Sequence, residues 1–188
     1  MRLQLALMTD NDDTKAISRD VSEMEEMIDG YLAFAAGEGD ETPQELAVDE
    51  LLNRLVTQAH KSHKFDITLS QVKDDIPAFP MRRNAIQRAF SNIISNAIRY
   101  STRTIVAIRM RNDEVIITFD DNGAGIPQER RADAIRPFIR LEESRNRRTG
   151  GAGLGLSITS DVILSHGGEL APGDSPLGGL RVAVKLPV

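Results

Sequence analysis

The chain of 188 residues contains no cysteine and no tryptophan. The first absence removes disulfide frameworks, thiolate zinc sites and cysteine nucleophiles together, and it fits a reducing cytoplasm. A basic excess is also missing. Lys and Arg number 23 against 28 Asp and Glu, a net charge of −5 with a pI near 5.3. Phosphate contacts along a nucleic acid need a basic face, so nucleic acid is not an expected partner. No stretch approaches the roughly 18 apolar residues of a membrane span. The apolar piece around Leu3, Leu5, Leu7 and Met8 is too short for one and lacks the layout of a signal peptide. What is present, 40% hydrophobic and 27% charged residues, is the composition of a soluble globular protein. The length allows one full domain with a helical appendage.

From Thr14 to Phe34, apolar or small residues recur at Ile17, Val21, Met24, Ile28, Tyr31 and Ala35, a four-three alternation that keeps one narrow stripe toward a partner helix. Asp10 to Asp13 supplies a turn and an N-cap before it, and Arg2 to Thr9 reads as the end of another helix. The pair resembles a helical hairpin lacking most of its first arm; the alternative is that the stripe is a core face of the same domain. Gly37 to Glu41 forms a linker.

Beyond the linker, Gln44 to Val48 reads as a short strand and Asp49 as the cap of a helix through Leu51, Leu52, Leu55, Val56 and Ala59. Phe65 to Leu69 alternates as a strand, Ala78 to Met81 is a brief edge-like strand, and a helix runs from about Arg82 to Tyr100. Thr104 to Met110 and Val115 to Phe119 are strands joined by a hairpin turn at Arg111 to Glu114. A polar, basic segment from Pro127 to Gly150 precedes a buried helix over Leu154 to Leu164, which ends at His166-Gly167-Gly168. Strands near Glu169 to Ala171 and Leu180 to Leu186 close the chain. The expected class is α+β, a mixed sheet covered on one face by helices.

Three segments carry candidate chemistry. Asn92 and Asn96 are four apart on a helix, so both carboxamides leave one face. Neutral amide oxygens suit a hard cation whose charge phosphates already balance; local capping is the alternative. Asp121 follows the end of a β-run and precedes Gly123 and Gly125, where the backbone can approach a flat ligand and a carboxylate can accept from an exocyclic amine such as that of adenine. An exposed Asp-Asn-Gly turn would leave the same trace. Gly151, Gly153 and Gly155 lead into a helix whose N-terminal N–H groups suit a phosphate, the alternative being a ligand-free glycine hinge. The spacing is neither that of a P-loop nor of a dinucleotide fingerprint.

As an ordered set these segments resemble the N, G1 and G2 boxes of the sensor histidine kinase ATP-binding domain, within the wider Hsp90, gyrase and MutL-like superfamily. The resemblance covers about Glu41 to Val188. Pro137-Phe138 resembles the F box and Arg136 to Thr149 the lid. It implies a Bergerat-type (GHKL) α/β sandwich over residues 38–188, preceded over 1–37 by the remnant of a dimerisation and phosphotransfer hairpin. Met1-Arg2-Leu3 and Leu186-Pro187-Val188 look most like osmosensor kinases of the EnvZ type.

The resemblance further implies that Asn96, with Asn92 beside it, serves a Mg2+ and phosphate site. Arg99 and Tyr100 border the nucleotide, and Asp121 binds the adenine amine beside Gly123, Gly125 and Ile126. Gly151, Gly153, Leu154, Gly155 and Leu156 form the lid hinge and phosphate cradle. Phe138, Arg140, Arg145, Arg147 and Arg148 lie on the lid, where an arginine-rich loop can also be simply solvated.

One departure is plain: no histidine followed by an acidic residue and an Arg-Thr-Pro-Leu-like stretch occurs in the sequence. His60 and His63 read as solvated and His166 as a helix-terminal residue favoured by the dipole, so none is assigned as phosphoacceptor. The expected function is transfer of the ATP γ-phosphoryl group to a histidine from outside this chain, in cis of a longer kinase cut within its first helix or in trans, for relay to a response regulator. A homodimer through the hairpin and a parent kinase on the cytoplasmic face of the inner membrane are implied with it. Rival readings are a non-catalytic nucleotide-binding and dimerisation module and a hydrolytic ATPase. Hydrolytic members of the superfamily typically carry a glutamate where this chain has Asn92, and an amide cannot serve as a base.

Overall fold

The computed structural model describes residues 41–71, 76–137, 139 and 154–188. The expected hairpin at Met1 to Phe34 and the lid residues Phe138, Arg140, Arg145, Arg147 and Arg148 lie outside these, as do Gly151 and Gly153. In chain order the elements are β1 (Gln44–Leu46), α1 (Val48–His63), β2 (Asp66–Gln71), β3 (Phe79–Met81), α2 (Arg83–Tyr100), β4 (Arg103–Arg111) and β5 (Glu114–Asp121). A 3-10 turn (Gln128–Arg130), α3 (Arg131–Ala134), α4 (Gly155–Ser165), β6 (Glu169–Asp174) and β7 (Leu180–Pro187) follow.

Five strands form one mixed sheet in the order β2-β4-β5-β7-β6, parallel between β2 and β4 and antiparallel elsewhere; β1 and β3 pair as a separate two-stranded ribbon. The period-2 alternation decides which sheet face is covered. Val106 and Ile108, Val115, Ile117 and Phe119, Leu170, and Val182, Val184 and Leu186 point into one core with Ile86, Ala89, Phe90, Ile93 and Ile94 of α2 and Ile158, Val162 and Ile163 of α4. The opposite face carries the ion pairs Arg103–Asp66, Arg181–Asp120 and Lys185–Glu169. The α+β expectation, with helices on one face of a mixed sheet, therefore matches the architecture. Phe90 of α2 and Phe119 of β5 meet at a centroid distance of 5.8 Å with rings tilted 47°, which pins the helix to the middle of the sheet.

Several local expectations need correction. Asp49 does not cap α1: Ala47 holds the N-cap position with no side-chain cap, and Asp49 lies in the first turn. Val48 is fully buried, so the chain enters the helix as soon as β1 ends. Helix α2 also lacks a local cap, but the Glu41 carboxylate accepts the Asn84 and Ala85 backbone N–H groups at 2.8 and 3.3 Å, a cap brought from forty residues away in sequence. Strand β6 runs on through Pro172 and Gly173 to Asp174. Proline is tolerated there because β6 is an edge of the sheet. The β4–β5 turn is as expected, with Asn112 and Asp113 at φ of 48° and 60°, the left-handed pair a two-residue hairpin requires.

His166 stands at the C-cap of α4, as expected, and also joins two helices. Its Nε2 accepts the Arg82 backbone N–H at 3.1 Å while Nδ1 lies 2.7 Å from the Val162 carbonyl, so the ring bridges the end of α4 to the start of α2. His60 is exposed, as expected, with its Nδ1 3.0 Å from the Phe65 carbonyl.

Candidate functional site

Helix α2 crosses the sheet so that its polar stripe comes out at the end where β5 finishes. Ile93, Ile94 and Ala97 are buried, while Asn92 and Asn96 on the adjacent stripe are half-exposed. The apolar 3.6-residue period thus fixes where both carboxamides emerge. The Asn92 Nδ2 donates to the Gly155 carbonyl at 3.4 Å, which leaves its Oδ1 as an acceptor. Gly155 opens α4 directly above the pair: a Cβ there would stand 3.6 Å from the Asn96 Nδ2 and 3.8 Å from the Asn92 Cβ. Thr159 secures this approach, with its hydroxyl 2.7 Å from the Gly155 carbonyl and 3.2 Å from that of Ala89. Among the described residues no side chain caps the N-terminus of α4 and no acidic residue stands in its first turn, so the positive end of the helix lies beside the asparagines.

Asp121 is the last residue of β5 and is 8% exposed. Its Oδ1 accepts the Gly123 N–H at 2.8 Å and the Leu180 N–H at 2.9 Å. Both bonds use one oxygen, and among the described residues Oδ2 has no hydrogen-bond partner, so half of the carboxylate is held and half is available. The turn that follows is packed backbone on backbone. At Gly123 a Cβ would come within 2.5 Å of the Tyr100 carbonyl oxygen, and Gly125 adopts φ +69°. Asn122 is a structural latch. Its Oδ1 accepts the Thr102 and Arg103 N–H groups at 3.0 and 2.9 Å, tying the turn to the α2–β4 connection.

Asp121 and Asn96 line one cleft of about 260 Å³, counting the part open to solvent, together with Ile93, Ala97, Thr104, Phe119, Leu156, Leu180 and Val182. The lining is mostly apolar with a few polar side chains, the usual chemistry of a small-molecule site. Among the expected residues, Asn96, Asp121 and Leu156 line it, and Asn92, Gly123 and Gly155 adjoin these. Leu154 is buried in the core, the Ile126 carbonyl accepts from Arg131 Nε at 3.1 Å, and Tyr100 is an exposed side chain next to the turn. Arg99 and Tyr100 do not line the cleft.

Sequence reading missed Thr104 and Gly179. Gly179 is the tightest point of the site: a Cβ there would lie 2.2 Å from Asp121 Oδ1 and 2.4 Å from the Gly123 nitrogen. The adjacent pair Gly178-Gly179 just before a strand was the available signal. Among the described residues no three His, Asp or Glu side chains are grouped to hold a metal.

Comparison with known proteins agrees with this geometry. The Escherichia coli K12 sensor histidine kinase CpxA is 45% identical over 106 residues, 56% of this chain and 23% of that protein. Sensor protein RstB of the same organism is 31% identical over 198 residues, 100% of this chain and 45% of that protein. The chain thus spans less than half the length of these curated relatives. Among solved structures, the ATP binding domain of PrrB from Mycobacterium tuberculosis superposes with a TM-score of 0.62 at 26% identity, covering 79% of this chain and 97% of that one. The Acinetobacter baumannii histidine kinase AdeS has the same fold, with a TM-score of 0.72 at 17% identity over 99% of this chain and 91% of that one. Residues 81–188, more than half of the chain, match the family model described as histidine kinase-, DNA gyrase B- and HSP90-like ATPase, and the chain belongs to that family.

Proposed function

We propose that the chain binds ATP in the Asp121 cleft and delivers its γ-phosphoryl group to a histidine, as the catalytic part of a two-component sensor histidine kinase. The observation that carries this reading is the convergence of Asn96 and Asp121 on one apolar cleft, with the uncapped start of α4 above the asparagines. The adenine amine donates to Asp121 Oδ2 while Oδ1 stays locked to the backbone. Ile93, Ala97, Phe119 and Leu156 enclose the ring faces, and the first N–H groups of α4 meet the phosphates.

The donors fit a magnesium ion. Asn92 and Asn96 offer neutral oxygens beside a positive helix end, a set that suits a hard cation already neutralised by triphosphate and still carrying waters. Bound there, magnesium would neutralise charge on the phosphate oxygens. The chain's own residues position the triphosphate so that an imidazole nitrogen can attack the γ-phosphorus in line. The N–P bond forms as the bond to the β–γ bridging oxygen breaks, and ADP leaves. Positioning and electrostatics supply the catalysis. Asn92 cannot accept a proton from water, which disfavours the hydrolytic reading.

None of the three histidines is assigned as acceptor. The acceptor belongs to a phosphotransfer hairpin in cis or in trans, and a response regulator takes the phosphate onward. Residues 38–188 are read as the catalytic domain, supported by the pairing of β1 with β3 and by the burial of Leu46 and Val48 in the common core. Residues 1–37 are read as part of a helical dimerisation hairpin, through which a homodimer forms. A parent protein on the cytoplasmic face of the inner membrane goes with the same reading. Incubation with γ-labelled ATP and a separate histidine-bearing hairpin domain tests the reading. Label is expected on the hairpin, whereas ATP binding without transfer would leave only a nucleotide-binding module.

A further inference from the structure

Thr104 is the one cleft-lining residue whose polar atom is buried without use. It stands at the start of β4, is 0% exposed, and its Oγ1 makes no hydrogen bond. The buried hydroxyls of Ser157, Thr159 and Ser175 find backbone partners: Ser157 donates to the Leu154 carbonyl at 2.9 Å, Thr159 reaches Gly155, and Ser175 accepts the Leu177 N–H at 3.0 Å. An orphaned hydroxyl is costly and calls for an explanation. Its neighbours on the sheet face supply one. Val106 and Ile108, the next residues on the same face of β4, are apolar and fully packed, so the position favours a valine sterically and carries a hydroxyl instead.

Thr104 is also the register partner of Asp121 across the β4–β5 ladder. Directly opposed residues bring their Cβ atoms to about 5 Å, and both side chains line the same cleft. A purine whose 6-amine meets Asp121 Oδ2 presents an acceptor nitrogen on each side of that amine, N1 on one edge and N7 on the other. The hydroxyl is a donor placed one residue's width from the carboxylate.

We propose that Thr104 is a second base-reading group, whose hydroxyl donates to a ring nitrogen flanking the 6-amine, directly or through one bridging water. The inference rests on the nucleotide reading above and adds a selectivity element to it. Carboxylate and hydroxyl together demand a donor amine beside an acceptor nitrogen. Adenine satisfies this along both edges. Guanine places a carbonyl oxygen against the Asp121 carboxylate and a protonated N1 beside it, so on the N1 edge both positions are reversed.

The test uses the whole chain and compares wild type with Thr104→Val, Thr104→Ser and Asp121→Asn. Affinities for ATP, 1-deaza-ATP and 7-deaza-ATP are measured by calorimetry in the presence of magnesium, and melting is followed without nucleotide. The Val variant is nearly isosteric and removes an unsatisfied hydroxyl, so it is expected to melt no lower than wild type. It should bind ATP about three- to tenfold more weakly, the worth of one neutral hydrogen bond, and the Ser variant should restore most of that loss. The deaza analogue lacking the contacted nitrogen should bind wild type more weakly than ATP does, and the Val variant as well as ATP does.

If Thr104→Val binds all three nucleotides as wild type does, or loses equally for all three, the assignment to Thr104 is wrong even though Asp121→Asn still weakens ATP. A Val variant that melts lower shows a structural hydroxyl and overturns it as well. If ATP does not bind the wild-type chain, the nucleotide reading itself fails.

Discussion

The backbone N–H of Leu180, the first residue of β7, donates to Asp121 Oδ1 at 2.9 Å, so the carboxylate at the end of β5 is held by the strand that pairs with it. Together with the Gly123 N–H this fixes the side chain before any ligand arrives. Such preorganisation spares binding the cost of ordering a rotamer.

Replacing Asp121 separates its two oxygens' roles. Asp121→Asn can keep Oδ1 on the two N–H groups but turns the free position into a donor facing the adenine amine. ATP affinity should fall about ten- to a hundredfold with little change in melting temperature. Asp121→Ala orphans two partly buried N–H groups and should also cost stability, about 2–4 kcal/mol. Calorimetry and urea unfolding on the same samples read both effects, and equal destabilisation by the two variants would contradict the division.

Gly179→Ala should damage the site more than most surface changes, because its Cβ would stand 2.2 Å from Asp121 Oδ1 and 2.6 Å from the Asp121 carbonyl. Backbone and a locked carboxylate cannot give way cheaply, so a loss of about 1–3 kcal/mol in stability is expected along with weakened ATP binding. Gly173→Ala serves as the control, since nothing lies within 4 Å of a Cβ there. The two melting curves should therefore differ, with only the Gly179 variant shifted downward.

These residues show how far the sequence could be read. Asn96 and Asp121 stand in segments whose local pattern, an amphipathic helix and a strand ending before glycines, already orients them. The periodicity that places Ile93 and Ala97 inside places Asn92 and Asn96 at the rim. Thr104 and Gly179 carry no such local mark. Their importance arises from register: β4 is paired so that residue 104 faces residue 121, and the chain before β7 returns to lie against the Asp121 turn. The Glu41 cap on α2 escaped notice for the same reason, because a cap is read within three residues of a helix and this one is more than forty away. Asp49 illustrates the opposite error. It is an ideal capping residue, but the burial of Val48 starts the helix earlier.

On the sheet face opposite the helices, Arg181 grips Asp120 with two bonds of 2.6 and 2.8 Å. Asp120 holds the Arg181 guanidinium pKa above its ordinary value, chiefly through these bonds. Asp120 is 5% exposed while the arginine side chain is 38% exposed, so the pair lies between a surface bridge and a buried one. Arg181→Met should leave the carboxylate without its partner and cost about 1–3 kcal/mol, more than an exposed pair and less than a fully buried one. Asp120 directly precedes Asp121 in β5 but points to the other face, so ATP affinity should change far less than stability. A variant that loses both equally would show that the two faces are coupled.

Asn96 gives a prediction that separates metal from base. If its carboxamide meets the cation and Asp121 meets the adenine, removing magnesium and removing the amide act on the same contact. Chelation with EDTA should weaken ATP binding to the wild-type chain, about tenfold or more, and should weaken Asn96→Ala much less because that variant has already lost the contact. Asp121→Asn should respond to EDTA as wild type does, since its deficit lies at the base. Adenosine, which lacks phosphates, should bind wild type and Asn96→Ala alike, with or without magnesium. Calorimetric titrations across these combinations form a closed cycle. An Asn96 variant as sensitive to chelation as wild type would place the cation elsewhere and leave Asn96 with a packing role beneath Gly155.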